Sequence, residues 1–438
     1  MVRKKTAVLC ALVLLPALAA VAGGRKWTLS ECIDHAARHN ISIRTGRLSV
    51  MSAGEDVKEA KARLFPSLSF STTHQGSYRP FAGGSTDKGS YLGDYGLNAA
   101  WTVWDGNANR NTLKQQKIVG RQEELNLEEN LNSLQEQILQ LYVQVLYVGE
   151  AVKVDSVILG ISRLNAERGA EMHKVGSLSK ADLAQLEAQA ANDEYNLVNM
   201  QGRLEDYKQQ LKYLLRLDYD EDFDVAVPPS TDNQAMAPVP TAGEVLANAL
   251  ADRPEIRNAL LDIDRSSVGI DIAKAGRMPT VSLSGGIGTN TATGVQGAWA
   301  GQMKDNLSGS VGVTLSVPVF DNRAVKTSVN KAKISLMQSK AEAEDTKNSL
   351  ALDIQGFWIN ATTNQERFRA AVASVESAQA SYDLLSEQFR LGLKNIVELN
   401  NAKATLLDAQ QSRLESKYTA ILYLQLLHFY NGEGMNMM

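Results

Sequence analysis

The chain has 438 residues, is 44% hydrophobic but only 6% aromatic, and carries a formal net charge of −4. An acidic balance argues against nucleic acid as a partner, and so few aromatics suit long coiled helices better than one large globular core. Two cysteines, Cys10 and Cys32, leave little room for a disulfide framework.

Arg3, Lys4 and Lys5 precede an apolar run from Thr6 to Leu18, too short to span a bilayer comfortably. Ala17-Leu18-Ala19 and Ala20-Val21-Ala22 then offer small-x-small cleavage sites. This pattern predicts a secretory signal peptide over 1–22, with the mature chain starting near Gly23 and no lipidated N-terminus. Cleavage would remove Cys10, so no intrachain disulfide is expected. No later stretch reads as a transmembrane helix. An exported chain of this kind is either soluble or held in a membrane by strands.

From 23 to 217 the sequence predicts a helical segment, a β-hairpin over 67–104, and long helices over 107–175 and 179–217. Leu68, Phe70 and Thr72 alternate with Ser67, Ser69 and Ser71. Tyr95, Leu97, Ala99, Trp101 and Val103 alternate with Gly96, Asn98, Ala100 and Thr102. Each run is apolar on one face and small or polar on the other, as a tilted outer-membrane strand would be. Tyr78, Tyr91, Tyr95, Trp101, Trp104 and Phe320 fall near strand ends, where an aromatic girdle would lie. A Gly/Ser/Thr/Asn loop from Gly83 to Gly93 separates the two strands.

No proline occurs in 81–227, so that tract can hold helices far longer than the usual ~11 residues. Leu127, Leu131, Leu134, Ile138, Leu141, Val145, Val148 and Val152 form a heptad seam. Leu183, Leu186, Ala190, Leu197, Met200, Leu204, Tyr207, Leu211 and Leu214 return along it, with Asp193 as a polar interruption. Gly176 marks the reversal.

An acidic, then proline-rich linker over 218–240 follows, and the programme repeats over 241–431. The repeat holds a helix, a hairpin over 280–319, and helices over 322–391 and 395–431, ahead of a tail at 432–438. Val281, Leu283, Gly285 and Ile287 alternate with Ser282, Ser284 and Gly286. Val311, Val313, Leu315 and Val317 alternate with Gly312, Thr314 and Ser316, and a loop from Gly288 to Gly301 joins the two. Trp104-Asp105-Gly106-Asn107 answers Phe320-Asp321-Asn322-Arg323, and Val175-Gly176 answers Leu391-Gly392, both 216 residues later. Asp182 and Glu398 lie six past their glycines. A period this long reads as duplication of half a domain rather than a solenoid repeat.

Four strands cannot close a membrane barrel, because the smallest class has eight and an open edge in lipid leaves backbone groups unpaired. Two copies would give eight strands and three would give twelve. Small residues on the polar face suggest a hollow lumen and favour more copies.

Chemistry-bearing motifs are sparse. No phosphate loop, GxSxG elbow or HExxH is present. Cys32, His35 and His39 could share a helix face as a soft-metal trio, against a plainer reading of surface histidines on a helix opened by Ser30. Asp105 and Asp321 read as turn and N-cap residues. No enzyme activity, cofactor or metal is expected.

The whole mature chain resembles the TolC-type outer-membrane efflux proteins. The resemblance rests on Leu29-Ser30-Glu31-Cys32-Ile33, Ala36 and Asn40, and on their echo Val245-Leu246, Ala249 and Arg253-Pro254-Glu255-Ile256. It rests also on Pro66 and Pro279 before the hairpins, Val317-Pro318-Val319-Phe320-Asp321, and the two Gly reversals. It implies a mixed α and β membrane protein: a homotrimer with a twelve-stranded β-barrel in outer-membrane lipid and a tunnel of antiparallel coiled-coil helices, an α-barrel, crossing the periplasm of a Gram-negative cell. Such a duct would be passive, docked by a periplasmic adaptor and driven by an inner-membrane pump of the RND, ABC or MFS type.

The resemblance also implies an adaptor-docking tip at Val175, Gly176, Ser177, Leu178, Leu391, Gly392 and Leu393. It implies a pore constriction at Glu398, with Lys394 and Asp182 pairing to close it. Asn401 and Phe389 depart from the family pattern of an acid and a tyrosine, which removes any hydroxyl latch. A rival reading is a periplasmic coiled-coil adaptor or scaffold that binds rather than conducts. It would extract in salt, whereas a duct would need detergent.

Overall fold

A computed structural model of the protein describes residues 26–81, 89–229, 231–295 and 297–435. The expected signal peptide, most of the Gly83–Gly93 loop and the end of the C-terminal tail lie outside the described residues.

The chain opens with β1 (Lys26–Trp27), α1 (Leu29–His39) and α2 (Ile41–Ala62). Thr28, not Ser30, starts α1. Its side chain accepts from the Glu31 amide while the Glu31 carboxylate accepts from the Thr28 amide, a reciprocal cap that satisfies two orphan donors. The strands β2 (Ser67–Tyr78) and β3 (Gly89–Trp104) follow, then α3 (Ala108–Lys174) and α4 (Lys180–Leu215). At 67 residues, α3 is about 100 Å long.

The second half begins after β4 (Asp224–Val225) and α5 (Thr231–Ala235). It runs through α6 (Ala242–Asp252), α7 (Pro254–Ala275), β5 (Thr280–Ala292), α8 (Trp299–Asp305), β6 (Ser308–Ser316), α9 (Ala324–Arg390) and α10 (Ile396–Tyr430). The Gly288–Gly301 loop is thus shorter than its composition suggests: β5 continues to Ala292 and α8 begins at Trp299. Among the described residues, no helix is long and apolar enough to cross a membrane.

The four long strands form one antiparallel sheet in the order β2-β3-β5-β6. Its register sorts the side chains cleanly. Phe70 pairs with Leu97, Leu97 with Ile287, and Leu283 with Val313, so one face is apolar from edge to edge. Ser69 pairs with Asn98, Asn98 with Gly286, and Ser284 with Gly312, so the other face is small and polar. Phe70, Leu97, Ile287 and Val313 are exposed within the chain. Helices α2, α3, α7 and α9 all join the strands at the same end of the sheet, and α8 lies at the other end.

Beside the sheet the helices form a single layer in which α2 packs on α3, α3 on α7, and α7 on α9. Further down, α3 pairs with α4, α9 with α10, and α10 with α3. Leu134, Ile138, Val145 and Val148 are buried in α3, as are Leu139, Tyr142, Val143 and Leu146 on a second seam. Two seams are what a helix needs when it has a neighbour on either side.

The linker over 218–240 is tied to this layer. The Tyr142 hydroxyl donates to Ala226 O at 2.5 Å, the Lys212 ammonium donates to Tyr219 O and Glu221 O, and the Gln365 side-chain amide donates to Ala235 O and Ala237 O. Asp232 meets Arg413 at 2.6 Å and Lys417 at 3.4 Å, and Lys417 also reaches Glu150 of α3 at 2.6 Å.

Candidate functional site

The two helical hairpins reverse through the same local chemistry. Gly176 has φ +75° and Gly392 has φ +71°, a left-handed conformation that glycine takes without steric cost. The Gly176 amide donates to His173 O and the Ser177 amide to Met172 O, both at 2.9 Å. The Gly392 amide donates to Phe389 O and the Leu393 amide to Gln388 O, also at 2.9 Å. These paired bonds close the last carbonyls of α3 and α9. Val175, Leu391 and Leu393 stand exposed at the tips, while Leu178 is half-buried against the lower core.

Asp182 and Glu398 both begin the returning helices. The Ser179 hydroxyl accepts from the Asp182 amide at 3.1 Å and donates to the Asp182 carboxylate at 2.7 Å. The Asn395 side-chain oxygen accepts from the Glu398 amide at 3.0 Å. Both acids therefore complement the positive end of a helix. Lys394 lies 2.6 Å from the Glu398 carboxylate, one turn away on the same chain. Within one chain the expected Lys394–Asp182 pair is not made: each acid is engaged close to its own helix start.

Eleven residues past Gly392 the structure holds a feature the sequence conceals. Lys403 of α10 lies 2.5 Å from Asp193 of α4 and donates to Ser162 of α3 at 2.7 Å. Ser162 in turn donates to Asp193 at 2.5 Å, and the Gln189 side chain donates to its other oxygen. Lys403 and Asp193 are each only 4% exposed. Asp155, about two turns back along α3 from Ser162, is also buried. Burial foremost, then the Asp193 charge, push its carboxyl above the usual aspartate range. Three helices are thus joined through one buried, mutually satisfied polar layer. Asp193 interrupts the heptad because it binds a cation there.

The Cys32, His35 and His39 trio does not assemble. Cys32 is fully buried, and burial pushes its thiol up to about 12, which makes it unreactive. His35 and His39 stack on each other with centroids 4.1 Å apart. Among the described residues, no group of three or more His, Cys, Asp or Glu side chains is placed to hold a metal ion. Asp105 and Asp321 lie two residues before the caps of α3 and α9. Each carboxylate still accepts from a first-turn amide, Asn109 at 2.9 Å and Val325 at 2.8 Å.

The family model described as "Outer membrane efflux protein" matches residues 32–215 and 245–429, most of the chain. The chain is 23% identical over 407 residues to outer membrane protein TolC of Escherichia coli, covering 90% of this chain and 80% of that protein. It is 21% identical to the outer membrane efflux protein BepC of Brucella suis, covering 90% and 83%. Among solved structures, the outer membrane protein VceC from Vibrio cholerae superposes with a TM-score of 0.76 at 17% identity, covering 93% of this chain and 97% of that one. The MtrE outer membrane channel of Neisseria gonorrhoeae, in its open state, superposes with a TM-score of 0.73 at 18% identity, covering 94% and 90%.

Proposed function

Since the chain belongs to the outer membrane efflux protein family, we propose that three copies close into one passive export duct, a twelve-stranded barrel in the outer membrane continued by a hollow tube of helices. The observation that carries this is a shared order in two layers. Strands run β2-β3-β5-β6 and helices run α2, α3, α7, α9, so each layer ends in the same two open flanks. In lipid, the unpaired edges of β2 and β6 would be costly. Head-to-tail pairing of those edges between copies removes the cost and closes the ring. Three copies suit the small residues on the polar face better than two, because an eight-stranded barrel is filled by its own side chains. The two halves of each chain then supply equivalent parts of the wall, as a duplicated half-domain would.

The apolar face meets lipid, and the Ser/Gly/Asn face lines the lumen. The tips face the periplasm. Val175, Gly176, Ser177, Leu178, Leu391, Gly392 and Leu393 form the surface that a periplasmic adaptor grips, and an inner-membrane pump supplies the energy. Glu398 forms a carboxylate ring at the constriction. Lys394 neutralises part of that charge within each chain, and Asp182 sits on the neighbouring hairpin. Such a ring attracts cations into a narrow pore.

Single-channel recording in a planar bilayer tests this. The detergent-purified oligomer should conduct and should be blocked by divalent cations from the tip side, and Glu398→Gln should weaken that block about tenfold. Undiminished block would remove Glu398 from the constriction, and an oligomer that never conducts would end the duct reading.

A further inference from the structure

The loop joining β5 to β6 is folded, and it sits on one particular side of the sheet. Gln302 of α8, buried, accepts from the Ala292 amide at 2.8 Å and donates to Gly297 O at 3.1 Å. The Thr289 hydroxyl donates to Met303 O at 2.7 Å, and the Asn306 side chain donates to Asn290 O at 2.9 Å. The Trp299 ring meets Tyr95 edge to face, with centroids 6.3 Å apart.

Register identifies the side. Tyr95 and Thr289 are cross-strand partners, two residues along from the Leu97–Ile287 pair, so both belong to the apolar face. Thr291, buried, shares that parity. Hence α8 lies over the apolar face and leaves the small, polar face clear. Its contacts are with β3 and β5, the two inner strands, so another copy joined at the β2 and β6 edges would not cover it. Around it Val295, Trp299 and Leu307 remain exposed, Trp299 at 56%. Lys304 is exposed on its last turn. Indole and aliphatic side chains beside a cation, at the rim of an apolar wall, match the headgroup–acyl boundary of a bilayer.

Resting on the reading that the apolar face meets lipid, we propose that α8 is a membrane-surface element on the outside of the barrel. It seats Trp299 among outer-leaflet lipid headgroups, and its loop does not plug the duct. The partner is the lipid interface, and the loop acts as a collar at the mouth.

The test uses the full chain in phosphatidylcholine vesicles that carry a nitroxide on the lipid headgroup. The fluorescence difference between wild type and Trp299→Phe isolates Trp299. That signal should fall by roughly half or more with the lipid-borne quencher. Replacing the α8 side chains by Gly and Ser should leave single-channel conductance unchanged. A Trp299 signal indifferent to labelled lipid, or a conductance raised by loosening α8, overturns the assignment. A protein that inserts and shows lipid quenching but never conducts upholds the collar and overturns the duct, so the two failures are separable.

Discussion

The corner where β3 turns into α3 and the corner where β6 turns into α9 share one backbone design but not one environment. Gly106 and Asn107 have φ +69° and +71°, and Asn322 and Arg323 have φ +50° and +69°. At the first corner the end of α7 packs down so closely that a Cβ on Gly106 would lie 2.5 Å from Met278 Cβ and 2.9 Å from Ala275 O. At the second corner Val319 is 94% exposed and Phe320 85% exposed. The sequence match of Met278 is Phe65, at the end of α2, and it too is exposed. One corner has its cover inside the chain, while the other presents an apolar surface whose matching cover points outward on the opposite flank. In the proposed ring, the α2 end of the next copy would supply that cover.

The same contrast recurs in the lower helices. Ser162, Asp193 and Lys403 make the buried layer between the chain's own hairpins, whereas the positions 216 residues away are Ala378, Ala409 and Glu187. The inner seam is keyed by a buried ion pair, whereas at the matching positions Ala378 and Ala409 are buried and Glu187 is exposed. The largest expected effect tests that key. Lys403→Met leaves Asp193 buried without its cation and should cost about 3–5 kcal/mol, seen as a lowered melting temperature of the detergent-solubilised protein. Lys403→Met combined with Asp193→Leu should recover most of the loss, because no buried charge is then left unpaired. A double variant as unstable as the single one would show that the layer is not a matched pair.

The two corners give the next effect. Gly106→Asn, which copies the second corner into the first, should cost about 1–3 kcal/mol through overpacking against α7. The reverse change, Asn322→Gly, should alter stability by less than about 1 kcal/mol. Equal effects at both sites would mean that the second corner is covered as tightly as the first. The helix tips offer a smaller and symmetric effect. A Cβ at Gly176 or Gly392 meets nothing within 4 Å, so Gly→Ala at either should cost only the left-handed backbone, about 1 kcal/mol. A markedly larger loss of adaptor binding than of stability would mark that tip as the docking surface.

The long helices were legible because proline is excluded from helix interiors and the heptad seam is regular. The strands were legible because alternation has the period of a pleat, and Leu97, Ile287 and Val313 do fall on one face. The Lys403–Asp193–Ser162 layer was only hinted at: Asp193 stood out as a polar interruption of the seam, but its partners lie up to 241 residues apart, and Ser162 and Lys403 alone look like ordinary solvated helix positions. The partner of Lys394 was hidden for the opposite reason. It is a local one-turn contact to Glu398, which competes with any pairing across chains. In α8, Trp299 and Gln302 sit within a stretch whose glycines and threonines read as an irregular tip, and the bonds from Gln302 reveal its fold.

The smallest effect isolates a single buried charge. Asp155 sits where the second repeat has Ala371, itself buried. Burial and the neighbouring Asp193 carboxylate hold the Asp155 carboxyl above its ordinary range, so the folded protein binds this proton more tightly than the unfolded chain does. The stability linked to Asp155 is therefore fully present below the ordinary aspartate range and is lost as pH rises through the raised value. Asp155→Asn, neutral at every pH, should accordingly raise the melting temperature near pH ~7. The gain should shrink steadily as the buffer is acidified into the aspartate range, where wild type has already taken up its proton. Melting curves of the two proteins across that range decide the matter. A gain that does not change with pH would assign the effect to packing rather than charge, and no gain at neutral pH would mean that the inner seam compensates Asp155 as fully as it does Asp193.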